Sequence, residues 1–216
     1  MWREYFNRKA VDHAGSIESS DYFSVKSFLD QRRSILEWLG PIEGRSVLDA
    51  GCGVGAFSEI LAATNRVCGV DFSETALGYA RGRGILSACG DLARLPFSAG
   101  SFDLVLCIGV LQLIRDERAV LTELASMLAP GGTLVVQTLN RESVQRRLVA
   151  PFRSDEPFDR LFRCGELRDA FLGLGLRDVS FLHAYYPLAM TTRSENPGLL
   201  ARSFTTSFAV RGRRPA

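Results

Sequence analysis

The chain has 216 residues, 46% of them apolar and 23% charged, a balance that excludes a disordered segment and allows a sizeable core. A net charge of +2 argues against a nucleic-acid-binding domain, so no nucleic-acid partner is expected. The longest apolar run, Leu104–Leu111, falls far short of the roughly 20 residues of a membrane helix, and Met1–Tyr5 opens no apolar leader, so a cytoplasmic protein is expected.

In chain order, residues 1–40 read as an N-terminal helical cap. Trp2, Tyr5, Phe6, Tyr22 and Phe23 make its start aromatic. Val25, Phe28, Leu29, Ile35, Leu36 and Leu39 then recur at helical spacing until Gly40-Pro41 stops the pattern. Residues 41–140 alternate between strand-like and helix-like segments. Ser46–Ala50 is a short strand running into glycines, and a helix is expected from about Gly55 to Ala63. Arg66–Asp71 is a second strand, with Ser73 as the N-cap of a helix to about Arg81. Ile85–Cys89 is a brief third strand, and Phe102–Ile108 is apolar enough to be buried on both faces. A helix opens at Asp116-Glu117 and ends at Pro130-Gly131-Gly132, before a fifth strand, Thr133–Leu139. Strands joined by helices in this way imply a parallel sheet with right-handed crossovers.

Beyond Asn140 the rhythm changes. Residues 141–165 are arginine-rich, contain Pro151 and Pro157, and read as a small lid insertion. Residues 166–216 supply a helix over 166–174, ended by Gly175, and two strand-like runs, Asp178–Ala184 and Ser203–Val210, expected to pair antiparallel. One α/β domain with a lid is the reading.

The charge is unevenly spread. Residues 1–140 carry 13 basic and 16 acidic groups, residues 141–216 carry 13 and 8, and every basic group of the second part is arginine. Arg141, Arg146, Arg147, Arg153, Arg160 and Arg163 read as solvated surface charge; the alternative is that Arg146, Arg147 and Arg153, beside Leu148, Val149 and Phe152, meet an anionic substrate or a membrane-surface lipid. Five cysteines without C-x-x-C spacing read as free thiols in a reducing compartment. With only His13 and His183 as histidines, no metal site is expected.

The most informative stretch is Val47-Leu48-Asp49-Ala50-Gly51-Cys52-Gly53-Val54-Gly55-Ala56, a strand that enters alternating glycines. Glycine there permits a tight turn and close approach of backbone N–H groups to a ligand. Asp71 ends the second strand 20 residues after Gly51, where a carboxylate can accept hydrogen bonds from both hydroxyls of a ribose. A nucleoside-containing cofactor across the strand ends is therefore expected. Gly51, Gly53 and Ala56 also satisfy the dinucleotide pattern G-x-G-x-x-[GA], which keeps a nicotinamide-dependent oxidoreductase open. Asp49, immediately before the loop, is unfavourable for a diphosphate and favourable for a cationic amino-acid moiety. Gly90-Asp91 after the third strand suits an adenine amino group.

These segments resemble the class I S-adenosylmethionine-dependent methyltransferases, with the ubiquinone-biosynthesis-like branch nearest. Val47–Gly55 is similar to their first motif, Gly69-Val70-Asp71-Phe72-Ser73 to their ribose-binding turn, Gly90–Phe97 with Ser101–Val105 to the adenine turn and fourth strand, and Leu128–Leu134 to the turn before strand five. The resemblance runs in order over about residues 45–139. It implies a Rossmann-like, doubly wound, seven-stranded sheet, mostly parallel with an antiparallel last strand. It also implies S-adenosyl-L-methionine as cofactor, and a methyl transferred directly to a small-molecule acceptor, oxygen foremost, without metal. Asp49, Gly51, Cys52, Gly53 and Gly55 would line the methionyl part, Asp71 would hold the ribose, and Phe72, Asp91 and Leu92 would flank the adenine. Cys107 would offer backbone atoms under the methionyl group, and Tyr5 or Tyr22 would reach its carboxylate. One departure stands out: many relatives carry histidine after strand four, where this chain has Gln112.

For an oxygen acceptor a base near the methyl group would help. His183, at the end of the sixth strand, and His13, in the cap, are the candidates; the alternative for each is a packed or surface histidine. A cofactor-binding accessory protein that transfers nothing also fits the cofactor half.

Overall fold

Leu104, Val105, Leu106 and Cys107 are buried on both sides of their strand, as their unbroken apolar run requires. That strand, β4 (Phe102–Ile108), lies mid-sheet between β1 (Ser46–Ala50) and β5 (Leu128–Leu139) and is parallel to both. The computed structural model describes residues 2–20, 25–149, 160–185 and 190–216. The remaining strands are β2 (Arg66–Asp71), β3 (Leu86–Cys89), β6 (Arg177–Tyr185), β7 (Met190–Ser194) and β8 (Ser207–Arg213). Among the described residues they form one sheet of eight strands in the order β3-β2-β1-β4-β5-β8-β6-β7. From β3 to β5 all pairs are parallel, whereas β8 is antiparallel to β5 and β6, and β7 is antiparallel to β6.

The period of two along each strand sorts the core into two layers. Val105, Val136, Phe181 and Phe208 pack with Leu124 of α4 (Glu117–Ser126) and with Leu167 and Phe171 of α6 (Cys164–Gly173). On the other face Leu104, Leu106, Leu182 and Ala209 meet Phe28, Ile35 and Trp38 of α2 (Val25–Leu39), and Val67 packs with Leu77 and Ala80 of α3 (Glu74–Gly82). Ser73 caps α3 by accepting from the Ala76 amide at 3.1 Å, and Asp116 caps α4 by accepting from Ala119 at 3.0 Å. Gly175, at φ 79°, ends α6: its amide donates to Leu172 O, while Leu176 N donates to Phe171 O.

Three expectations need correction. Among the described residues the sheet has eight strands where seven were expected, because β7 is a polar edge strand defined by backbone pairing to β6 and carries no apolar run. The stretch Gly55–Ala63 is not an α-helix: Gly55 is left-handed at φ 79°, Ser58 turns its hydroxyl onto Asp49, and only Leu61–Ala63 forms a 3-10 turn. The closing strand starts at Ser207, not Ser203, because residues Leu199–Phe204 form a short helix. The Asn140 side-chain amide satisfies that helix's last carbonyls, donating to Arg202 O at 2.6 Å and Thr205 O at 2.8 Å.

After β5 the chain forms α5 (Val144–Val149). The buried Phe162 bridges to Asn140, with Arg141 N donating to Phe162 O at 2.9 Å. Pro151, Arg153 and Pro157 of the expected lid lie outside the described residues. Much of the arginine surplus is used to tie the tail down. Arg211 stacks on Trp38 at 4.7 Å and donates to its carbonyl at 2.7 Å, Arg213 donates to Gly131 O, and Arg214 donates to Leu128 O. Arg160 pairs with Glu117. Among the described residues no helix is long and apolar enough to cross a membrane.

Candidate functional site

At the end of β1 the chain turns through Gly51, Gly53 and Gly55, all left-handed, at φ 81°, 51° and 79°. The turn is pinned to β2: Gly51 N and Cys52 N both donate to Val70 O, at 2.7 and 3.2 Å. A Cβ on Gly51 would lie 2.4 Å from Val110 Cγ2, so glycine is required for the loop after β4 to close against the turn. At Gly53 nothing lies within 4 Å of such a Cβ, which leaves the backbone open to a ligand.

Asp71, at the end of β2, organises the same turn. One carboxylate oxygen accepts from Gly53 N at 2.9 Å and the other from Ser73 N at 2.8 Å. Burial raises its pKa above the ordinary carboxylate range, opposed by these backbone hydrogen bonds. Asp49 is 2% exposed and accepts from Ser58 Oγ at 2.5 Å. Burial pushes it up to about 6, the Ser58 hydrogen bond working against the shift and the Asp71 charge adding to it. Asp91, exposed after β3, accepts from Ala93 N at 2.9 Å and so holds its own turn.

These turns border one cavity of about 500 Å³ at the carboxyl ends of the parallel strands. Behind it stand Gly51 to Val54, Asp71 and Phe72, and the turn Cys89 to Leu92. The segment after β4 supplies an apolar side, Ile108, Val110, Leu113 and Ile114, and Phe28 of α2 also borders the space. The N-terminal helix α1 (Trp2–Asp12) closes it with Arg3, Phe6 and Ala10, one face at helical spacing. That helix is docked: Ser73 Oγ donates to Asn7 Oδ1 at 2.5 Å, Phe6 meets Phe72 edge-on at 5.9 Å, and Arg83 donates to Gly15 O at 3.0 Å.

Of the residues expected in the site, Asp49, Gly51, Cys52, Gly53, Asp71, Phe72, Asp91 and Leu92 border this cavity. The others do not. Gly55 packs the turn on α3, where a Cβ would meet Ile85 at 2.5 Å. Cys107 is enclosed in the core, and Ile108 and Gly109, the next two residues, reach the wall. Tyr5 sits one helix position from the wall face, against Phe6 at 5.1 Å and under Lys9. Tyr22 lies outside the described residues. His13 is exposed in the turn after α1. His183 is fully buried, stacked on Phe181, with Nε2 3.1 Å from Ser194 Oγ; burial pushes it down to about 4. The physical reason is topological: β5 and β8 lie between β4 and β6, about 14 Å at ordinary strand spacing.

Gln112 is also buried, donating to Gly109 O at 2.7 Å and accepting from Thr138 Oγ1 at 3.1 Å, so it fixes the turn behind the wall. Sequence reasoning missed Arg3, Phe6, Ala10 and Phe28. The spacing of the first three was the available signal, but it says nothing about which core surface the helix covers. Among the described residues no His, Cys, Asp and Glu side chains gather as a metal site.

Residues 48–136 match a family model described as a methyltransferase domain. The chain is 35% identical over 125 residues to the ubiquinone biosynthesis O-methyltransferase of Marinobacter nauticus, covering 53% of this chain and 50% of that protein. It is 34% identical over 179 residues to the malonyl-[acyl-carrier protein] O-methyltransferase of Erwinia billingiae, covering 74% of this chain and 71% of that protein. A solved SAM-dependent methyltransferase of Thermotoga maritima shares the fold at a TM-score of 0.78 and 21% identity, over 99% of this chain and 100% of that one. The chain spans about half the length of the first two curated relatives it matches, both ubiquinone biosynthesis O-methyltransferases.

Proposed function

The chain belongs to the class I S-adenosylmethionine-dependent methyltransferases, and on that premise we propose that its cavity binds S-adenosylmethionine and that a methyl group passes to the oxygen of a small-molecule acceptor. The observation that carries this reading is a single cavity joining the aspartate-bearing turns of β1, β2 and β3 to the apolar segment after β4. A donor with a cationic amino-acid end and a nucleoside end fits the first part, and an acceptor fits against the second.

The residues suit that donor. Gly53 leaves its backbone open, the carboxylates of Asp49 and Asp71 bring negative charge to the turn, and Phe72 and Leu92 present apolar surface beside Asp91. In this reading Asp71 accepts from ribose hydroxyls with the lone pairs its backbone partners leave free, and Asp49 sets a negative potential under the methionyl end. The chemistry that S-adenosylmethionine supplies when bound is a methyl group on a positively charged sulfur, already activated for displacement. The chain's own contribution is then chiefly placement and exclusion of water, with α1 as the cover and Val110, Leu113 and Ile114 as the wall that aligns the acceptor. His183 and His13 lie outside this wall, so the reading needs neither as a base.

The arginine-rich stretch 141–165, which follows β5 in the chain, is proposed to act as a lid over an anionic or lipid-linked substrate. The malonyl relative is named for an acidic acyl substrate, which supports an anionic acceptor here. Titration calorimetry with S-adenosylhomocysteine and, separately, NAD tests the donor: the first is expected to bind and the second not. NAD binding without binding of the nucleoside thioether would point instead to the oxidoreductase reading. Transfer of a tritiated methyl group into a cell extract separates an enzyme from a non-catalytic cofactor-binding protein.

A further inference from the structure

We infer that Arg83, which is not itself part of the cavity wall, is a positioning residue for the donor. Its one guanidinium fixes the Val54 carbonyl in the glycine turn and the Gly15 carbonyl just after the cover helix α1, so that turn and cover take their binding positions together. The inference rests on the methyltransferase reading and adds to it a residue that acts through others.

Arg83 follows α3 and closes its last turn by donating its backbone amide to Ala80 O at 3.0 Å. Two residues earlier, Arg81 pairs with Glu74, both exposed. Arg83 turns inward instead, with its side chain 26% exposed. Each of its three nitrogens donates to a different segment: Nη1 to Val54 O at 2.9 Å, Nη2 to Gly15 O at 3.0 Å, and Nε to Glu59 Oε2 at 2.8 Å. Diverging donors in one plane belong to the guanidinium, and a lysine ammonium does not reproduce them.

The two backbone carbonyls lead to two parts of the wall. Val54 borders the cavity in the glycine turn, and a peptide plane held at its carbonyl is held as a whole. In an α-helix over Gly55–Ala63, amides four residues on would have taken the carbonyls of Val54 and Ala56. In this turn side chains take them, Arg83 at Val54 and Arg32 of α2 at Ala56, 2.6 Å away. Glu59 aims both guanidiniums, Oε1 accepting from Arg32 at 3.1 Å and Oε2 from Arg83. On the cover side, Gly15 N donates at 2.9 Å to the carbonyl of Ala10, a wall residue of α1. Gly15 also packs on the Tyr79 ring, where a Cβ would come within 2.3 Å, so it has no room to shift toward α3. Val54, Arg83, Gly15 and Ala10 thus form one hydrogen-bonded chain from the donor turn to the cover. A ligand that binds better when the chain is intact must strengthen the chain by the same factor.

The full chain is compared with Arg83→Ala, Arg83→Lys and the surface control Arg81→Ala by titration calorimetry. In the proposed reading the glycine turn faces the methionyl end of the donor. The probes are therefore S-adenosylhomocysteine and 5′-methylthioadenosine, which lacks the amino acid. Arg83→Ala is expected to bind the first about tenfold more weakly and the second at most about threefold more weakly, with Arg81→Ala like wild type. Arg83→Lys keeps a charge at the end of α3, is expected to recover only part of the loss, and carries the test if Arg83→Ala does not fold. Trypsin cleavage of the ligand-free chain at Arg3, Arg8 or Lys9 of α1 should quicken about tenfold in both Arg83 variants. Equal weakening of both ligands, full recovery by lysine, or a lower melting temperature with both affinities unchanged would make Arg83 a plain helix-end stabiliser and overturn the proposal. Unchanged cleavage of α1 would overturn the link to the cover. Failure of the wild-type chain to bind S-adenosylhomocysteine would remove the methyltransferase reading, and this proposal with it.

Discussion

Asp49 is a carboxylate enclosed at the head of a turn, held by one hydroxyl and close enough to Asp71 to feel its charge. Its pKa in the folded chain, about 6, lies above that of the unfolded chain, so the folded state takes up a proton that the unfolded state does not between about pH 6 and pH 4. Stability from this group therefore rises as pH falls through that window, and ionised Asp49 costs on the order of 3 kcal/mol at neutral pH. Asp49→Asn keeps an acceptor for Ser58 and removes the charge. It is expected to raise the melting temperature of the ligand-free protein at pH 7.5 by roughly 5 °C and to flatten its pH dependence between 4 and 6, measured by calorimetry. The same variant should bind S-adenosylhomocysteine about tenfold more weakly, the pattern of a residue kept for binding at the expense of stability. A drop in melting temperature would show that the carboxylate stabilises the turn. That an aspartate belongs here was legible from the motif; that it is the strained member of the set was not, because burial depends on what packs around β1.

At the scale of elements, α1 decides whether the cavity has a cover. Ser73 joins two jobs: its oxygen accepts the Ala76 amide as the cap of α3, and its hydroxyl donates to Asn7 of α1. Ser73→Ala is expected to cost 1 to 2 kcal/mol, roughly the value of a cap plus part of a side-chain hydrogen bond, read from urea unfolding. Proteolysis within residues 2–12 should become faster in the variant and slow again with S-adenosylhomocysteine; unchanged cleavage would mean that Phe6 on Phe72 and Arg83 on Gly15 hold the helix without Asn7. The cap on Ser73 is legible because a hydroxyl before a helical period is a local signal. Asn7 as its second partner, 66 residues away in sequence, is not local and left no trace in the pattern. The expected helix at Gly55–Ala63 failed for the opposite reason. Its apolar spacing was real, but the left-handed Gly55 and the pull of Asp49 on Ser58 outweighed a weak local preference.

At the scale of the molecule, β8 joins the parallel half of the sheet to β6 and β7, and Phe208 lies at the junction. It pairs with Thr138 on one side and His183 on the other and is fully buried among Phe181 and its neighbours. Phe208→Ala is expected to cost 3 to 5 kcal/mol, the range for an aromatic removed from a packed core, measured by guanidinium denaturation. Donor affinity in the surviving folded protein should stay near wild type, because among the described residues none of β6 to β8 borders the cavity. A loss below 1 kcal/mol would mean that the two halves are held by backbone pairing alone. The arginines of the tail fit the same picture: Arg211, Arg213 and Arg214 are anchored on backbone carbonyls, so the charge excess that the composition places beyond Asn140 is partly structural.

The sequence by itself determined the turns that border the cavity behind β1, β2 and β3. Strand ends, left-handed glycines and the carboxylates of Asp49, Asp71 and Asp91 are short-range features, each fixed by the few residues around it, and they assemble in the order in which they occur. Only the tertiary structure decided which other residues complete its wall. Insertion of β8 between β5 and β6 carried His183 away from the cavity, the pitch of α1 brought Arg3 and Phe6 in place of Tyr5, and Gln112 was turned inward to hold Gly109. Those outcomes depend on contacts between residues far apart in the chain, and a linear pattern carries no information on which of its helical faces, or which of its strand neighbours, such contacts will select.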